Sequence, residues 1–243
     1  MAVSLFFHQN LHGNCMATTK PKKTRQTAPT FELDELQPAE IVTLTHNQKR
    51  YLNSIKTNVL TFGTGSAGTG KSYVAIAYAA ELLKAKKINK IVLTRPIQEA
   101  GEHLGFLPGE LEEKTLPYLQ PMLDILNRRL GASFTEYLFK RKIIEFRPLA
   151  YMRGSTFEDS FIILDEAQNC TPTQLRMFLT RIGENSKVVV DGDVQQKDIK
   201  GLSGLDDALT RLKHLNNVGW VHFDIDDIVR SGICKDIVIA YAD

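Results

Sequence analysis

The 243-residue chain is poor in cysteine, has a single tryptophan and carries almost no net charge, +2 at neutral pH. Cys15, Cys170 and Cys234 are odd in number, far apart and in no Cys-x-x-Cys pair. That pattern argues against a disulfide framework and a cysteine-ligated zinc site, and it suits a reducing compartment. No apolar run approaches the ~18 residues that a membrane span needs. The opening "MAVSLFFHQNLHGNC" has neither the basic start nor the long apolar centre of a secretory signal, so the expectation is a soluble, cytoplasmic protein. No repeat of fixed period is visible, which argues against a solenoid or propeller.

The near-zero charge conceals an asymmetry. Residues 1–31 hold Lys20, Lys22, Lys23 and Arg25 and no acid; from Glu32 onward acidic residues slightly outnumber basic ones. A globally cationic surface is thereby excluded, and any polynucleotide contact has to come from a local patch or from the tail. "MATTKPKKTRQTAPT" has little to bury, so residues 1–40 read as a flexible basic arm and 41–243 as one folded domain. For the arm, a solvated tail and a nucleic-acid contact are both open readings.

What is present in quantity is apolar residue, 43% of the chain, enough for one well-buried core. Six short β-branched runs, at 58–64, 90–95, 142–148, 161–166, 187–193 and 218–223, alternate with helical spacing at 70–87, 110–130, 171–183 and 201–215. That alternation predicts an α/β fold with a parallel sheet covered by helices. Pro117 and Pro121 interrupt the second helical stretch, which predicts two short helices or an irregular insertion.

Between the first strand and its helix stands Gly65-Ser66-Ala67-Gly68-Thr69-Gly70-Lys71-Ser72, followed by Tyr73. A glycine-rich turn at a helix start aims backbone N–H groups at phosphate oxygens; Lys71 reaches the β- and γ-phosphates and Ser72 offers its hydroxyl to Mg²⁺. "FIILDEAQN" ends a buried strand in Asp165-Glu166, which assigns Asp165 to the Mg²⁺ and Glu166 to the attacking water. "KVVVDGDVQQKD" places Gln196 where an amide can touch both a γ-phosphate oxygen and that water. Upstream, Thr45 and Gln48 can form a capping box, or Gln48 can read the adenine edge with both faces of its amide.

These stretches, together with "RPIQEAGEHLGFLPGEL" (95–111), "LAYMRGSTFEDSFIILDEAQN" (149–169) and "GLSGLDDAL" (201–209), resemble the PhoH-like ATPases, in family order from about residue 45 to 230. The resemblance implies a P-loop NTPase with a RecA-like parallel sheet covered by helices on both faces, akin to the first motor domain of superfamily 1 helicases. It also implies ATP hydrolysis with Mg²⁺, an RNA or single-stranded DNA connection, and assembly as a homo-oligomeric ring, with six subunits a candidate number. Two departures are Val194, where the family favours proline, and "IVRSG" near the C-terminus, where Arg230 is kept without the following His-Pro.

Arg230 is the family-matched arginine for a neighbouring subunit's γ-phosphate, with a core salt bridge to Asp226 or Asp227 as the competing role. Polynucleotide contact falls on Arg95, Gln98, Glu99 and His103, with Arg153 and the tail lysines behind them. Three functions are compatible with the pattern: an ATPase coupled to single strands, a nucleotide-gated module that recruits another protein with slow hydrolysis, and a small-molecule kinase. The last is disfavoured because Glu166 and Gln196 are suited to positioning water.

Overall fold

Alternating side chains explain how one sheet comes to be buried on both faces. In the computed structural model, which describes residues 40–96 and 111–240, β4 (Ser160–Leu164) and β5 (Lys187–Gly192) send Phe161, Ile163 and Val189 into one apolar layer. Ile162, Leu164, Val188 and Val190 enter the other. A run buried on both sides needs no polar alternation, which is why these strands read as continuous apolar sequence.

The remaining strands are β1 (Leu60–Gly65), β2 (Lys90–Thr94), β3 (Ile144–Phe146) and β6 (Val218–Phe223). All six are parallel, in the order β3-β2-β4-β5-β1-β6. The first apolar layer is closed by α1 (His46–Thr57), α2 (Lys71–Lys84), α3 (Leu111–Leu130) and α4 (Ala132–Lys140). The second is closed by α5 (Pro172–Leu179) and α6 (Gly204–Leu212), and α7 (Gly232–Ala240) ends the described chain. This is the expected RecA-like P-loop fold, with helices on both faces. Among the described residues no helix is long and apolar enough to cross a membrane.

One expectation is overturned. Pro117 and Pro121 do not split their segment, which runs as the single helix α3. The prolines are one turn apart, so Pro121 removes the N–H that would have bonded the Pro117 carbonyl, and Pro121 is exposed, where water can serve that carbonyl. Leu119, Met122, Leu126 and Leu130 hold the opposite stripe in the core, and that burial outweighs the lost bonds. The spacing also missed α4, which follows Gly131 at φ +87° and buries Phe134 and Leu138.

Candidate functional site

The glycine-rich turn closes over itself. Gly65 has φ +117°, and a Cβ there would collide with the Phe223 carbonyl oxygen on the neighbouring strand β6, so no other residue fits where β1 ends. The Lys71 ammonium turns back into the loop, donating to the carbonyl oxygens of Gly65 (2.7 Å) and Ser66 (2.8 Å) and to the Thr69 hydroxyl (3.2 Å). Burial pushes this ammonium below the ordinary lysine value, while the carboxyl groups of Asp191, Asp193, Asp165 and Glu166 pull it back up. A cation held by backbone carbonyls amid four acids is ready to exchange those oxygens for phosphate oxygens.

Two strands away, β4 brings the acids to the same place. Ser72 Oγ donates to Asp165 Oδ1 at 3.1 Å across the intervening β5. Burial raises the Asp165 carboxyl above its usual range, Glu166 adds to that rise, and Arg95 and the Ser72 hydroxyl oppose it. A hydroxyl and a carboxylate in contact are hard oxygen donors of the kind Mg²⁺ takes when phosphates and water complete its shell. Among the described residues no group of three His, Cys, Asp or Glu side chains gathers as a separate metal site.

Glu166 sits at φ +55°, a backbone conformation rare outside glycine and frequent at functional positions. Both of its oxygens are engaged: Arg95 Nη2 donates to Oε1 at 2.8 Å and Gln168 Nε2 to Oε2 at 2.5 Å. Gln168 is buried, accepts from Asp193 N–H at 3.0 Å and reaches the Gln196 carbonyl at 3.3 Å. It therefore ties the end of β4 to the loop after β5. Sequence reasoning missed Gln168, whose only signal is its place two residues beyond Glu166 in "DEAQN".

Beneath the turn lies a second pair that the sequence did not announce. Tyr51 of α1 donates its hydroxyl to Asp191 Oδ1, and Asp191 Oδ2 is buried with no hydrogen-bond partner. Burial first, then the Asp165 charge, push the Asp191 carboxyl up to about 8, opposed by the Tyr51 bond and Lys71. Gly63 stands opposite Asp191 in the β1–β5 register and leaves room for that carboxyl.

Lys71, Ser72, Tyr73, Asp165, Glu166, Gln196 and Arg230 line one open cleft with Ala67, Gly68 and Gly70 of the turn. Gly65, Ser66 and Thr69 complete the turn around Lys71. Gln48 stands behind it. Its Oε1 accepts from Leu44 N–H (2.7 Å), its Nε2 donates to the Thr69 carbonyl (2.9 Å), and the residue is 2% exposed. Only half of the capping box forms: Thr45 Oγ1 accepts from Gln48 N–H, but the return bond goes to Leu44 instead of Thr45. The amide thus straps α1 to the turn, and neither of its faces is open to an adenine edge in this arrangement.

Arg230 is exposed, and its side chain lies 3.0 Å from where a Gly68 Cβ would stand; Val229 N–H donates to the Gly68 carbonyl at 3.1 Å. The anticipated salt bridge to Asp226 or Asp227 is absent: Asp226 pairs with Lys235 and Asp227 accepts from Asn47. Arg95 reaches Glu166, whereas Arg153 is exposed after the short turn Leu149–Met152 and does not line the cleft. Gln98, Glu99, His103, the tail lysines and the arm at 1–39 lie outside the described residues.

Residues 40–242 match the family model described as PhoH-like protein. The chain is 51% identical over 199 residues to a PhoH-like protein of Bacillus subtilis, covering 81% of this chain and 62% of that one. It is 47% identical over 213 residues to Protein PhoH of Escherichia coli K12, covering 86% and 60%. The chain thus spans about three fifths of the length of these curated relatives. Among solved structures, the Pyrococcus furiosus Hef helicase domain aligns with a TM-score of 0.43 at 13% identity, covering 72% of this chain and 37% of that one. The Sulfolobus solfataricus SWI2/SNF2 ATPase core in complex with dsDNA aligns with a TM-score of 0.45 at 15% identity, covering 77% and 38%.

Proposed function

The chain belongs to the PhoH-like family, and from that premise we propose that it binds ATP with Mg²⁺ at the turn of β1 into α2 and hydrolyses it, coupled to RNA or single-stranded DNA. The observation that carries the reading is the contact of Ser72 with Asp165, because it joins the glycine-rich turn to the residue at the end of β4 that immediately precedes Glu166. Bound Mg²⁺ would supply charge neutralisation between the phosphates, held by Ser72 and Asp165. Lys71 would leave its carbonyl ligands for the β- and γ-phosphates, and Glu166 would accept a proton from the water attacking the γ-phosphorus as ADP leaves. Gln196, exposed at the cleft rim, would orient that water. Arg230 lines the same cleft as its own chain's turn, which supports a role toward the chain's own nucleotide in preference to a neighbour's.

The recruitment module has one observation in its favour: Glu166 is held by Arg95, an arrangement suited to slow turnover without a further ligand. Phosphate release measured with and without a panel of RNA and DNA single strands separates the readings. The coupled ATPase predicts acceleration and strand affinity that falls steeply with salt. No acceleration and no salt-sensitive binding favours the module. Lys71→Ala should lower turnover by on the order of 10² or more, the scale of losing one fixed charge at the transferring group. A homo-oligomeric ring, which the family resemblance implies, belongs to the same proposal. A monomeric mass at working concentration would remove it.

A further inference from the structure

We propose that Arg95 is a positioning residue for Glu166: without a strand it occupies and neutralises the carboxylate, and a polynucleotide phosphate that takes the guanidinium sets the carboxylate free. This inference rests on the hydrolytic reading above. It begins with register. β2 and β4 are neighbours with Thr94 opposite Leu164, and Asp165 N–H donates to the Thr94 carbonyl at 3.0 Å. The two strands therefore run out together, and Arg95 leaves β2 beside Asp165-Glu166.

The guanidinium spans two elements. Nη2 bonds Glu166 Oε1 at 2.8 Å and Nη1 reaches the Tyr118 carbonyl of α3 at 3.3 Å. With Gln168 on Oε2, each oxygen of the carboxylate already has a donor. A water-polarising base works by offering negative charge and a lone pair to a water proton, and a guanidinium in contact neutralises the first and occupies part of the second. The pair is also within reach of solvent, Arg95 at 26% and Glu166 at 35% side-chain exposure. Phosphate matches the planar donor fork of arginine in two parallel bonds, so a strand phosphate is a fitting competitor for Nη1 and Nη2 together. Gln168 stays behind to orient the freed carboxylate.

The competing phosphate could come from a strand or from the bound triphosphate, and the two differ in sign. The test is ATP turnover by the full chain, with and without oligouridylate and oligodeoxythymidylate, for the parent, Arg95→Gln, Arg95→Lys and Glu166→Gln. The proposal expects Arg95→Gln to raise kcat without strand by at least about fivefold, the low end of ordinary coupling between sites, with KM for ATP little changed and further stimulation by strand largely lost. Arg95→Lys, which keeps the charge, should lie between this variant and the parent. If Arg95→Gln, folded by melting curve, turns over at or below the parental rate without strand, the proposal is overturned; a fall is the result expected if Arg95 serves the bound triphosphate. Undiminished stimulation in Arg95→Gln overturns it as well. Should Arg95→Gln fold poorly, Arg95→Lys decides, since a strand-free rate at or below the parent's again overturns the latch. Parental turnover by Glu166→Gln would instead strike the hydrolytic reading on which the proposal rests.

Discussion

The turn after β1 and the corner after β4 stand at the same edge of one sheet and hold their chemistry in opposite ways. The turn is made of backbone: carbonyl oxygens hold Lys71, Phe223 forbids a side chain at Gly65, and Gln48 and Val229 bind the loop from behind. The corner is made of side chains that share partners: Glu166 between Arg95 and Gln168, Gln168 between Glu166 and the loop of Asp193 and Gln196. Backbone cradles are rigid and bind; side-chain networks can be rearranged by a ligand. On the proposed function, holding falls to the first region and switching to the second.

The contrast is broken most severely at Gly65. Gly65→Ala meets the Phe223 carbonyl and a positive φ together, so it should cost several kcal/mol or abolish folding, as overpacking and strain at a left-handed position do. Thermal melting and nucleotide binding measure this; a variant with parental Tm and affinity would mean the turn is more plastic than its contacts imply.

A smaller effect is expected beneath the turn, at Asp191. Asp191, raised to about 8 by burial, keeps its proton in the folded protein where the unfolded chain has released it. Its stabilising share is therefore complete below the ordinary aspartate value and is lost as pH rises toward 8, a slope of about 1.4 kcal/mol per pH unit from one proton. Asp191→Asn keeps an acceptor for Tyr51 and removes that proton. Urea unfolding at pH 5, 6, 7 and 8 should show the parent losing stability relative to the variant with rising pH, and parallel curves would mean Asp191 does not hold a proton there.

The division between backbone and side-chain regions also explains what was legible in the sequence. All six strands and the turn could be read because β-branched runs and glycine spacing are local signals, as could the arrival of Asp165 and Glu166 at a strand end. The union of Tyr51 with Asp191, 140 residues apart, could not, because nothing local to either residue encodes a partner across the sheet. The bond from the Gln48 amide to the Thr69 carbonyl was equally hidden, since it depends on α1 packing behind the turn. Arg95 was read as a strand contact from its place after β2; that the same guanidinium reaches Glu166 depends on β2 lying next to β4, which is a matter of sheet order. Continuity of α3 through two prolines was hidden for a related reason: a buried stripe overrode a local breaker.

If binding and hydrolysis are carried by separate residues, Glu166→Gln parts one from the other. The amide keeps the size of the side chain and removes the charge that would draw a proton from water. Triphosphate affinity and single-turnover hydrolysis should be measured on the same folded sample. Affinity should stay within a few fold of the parent and the hydrolysis step should slow by on the order of 10² or more, the usual contribution of a positioned base. Hydrolysis at the parental rate, or loss of binding in a variant with unchanged Tm, would contradict it.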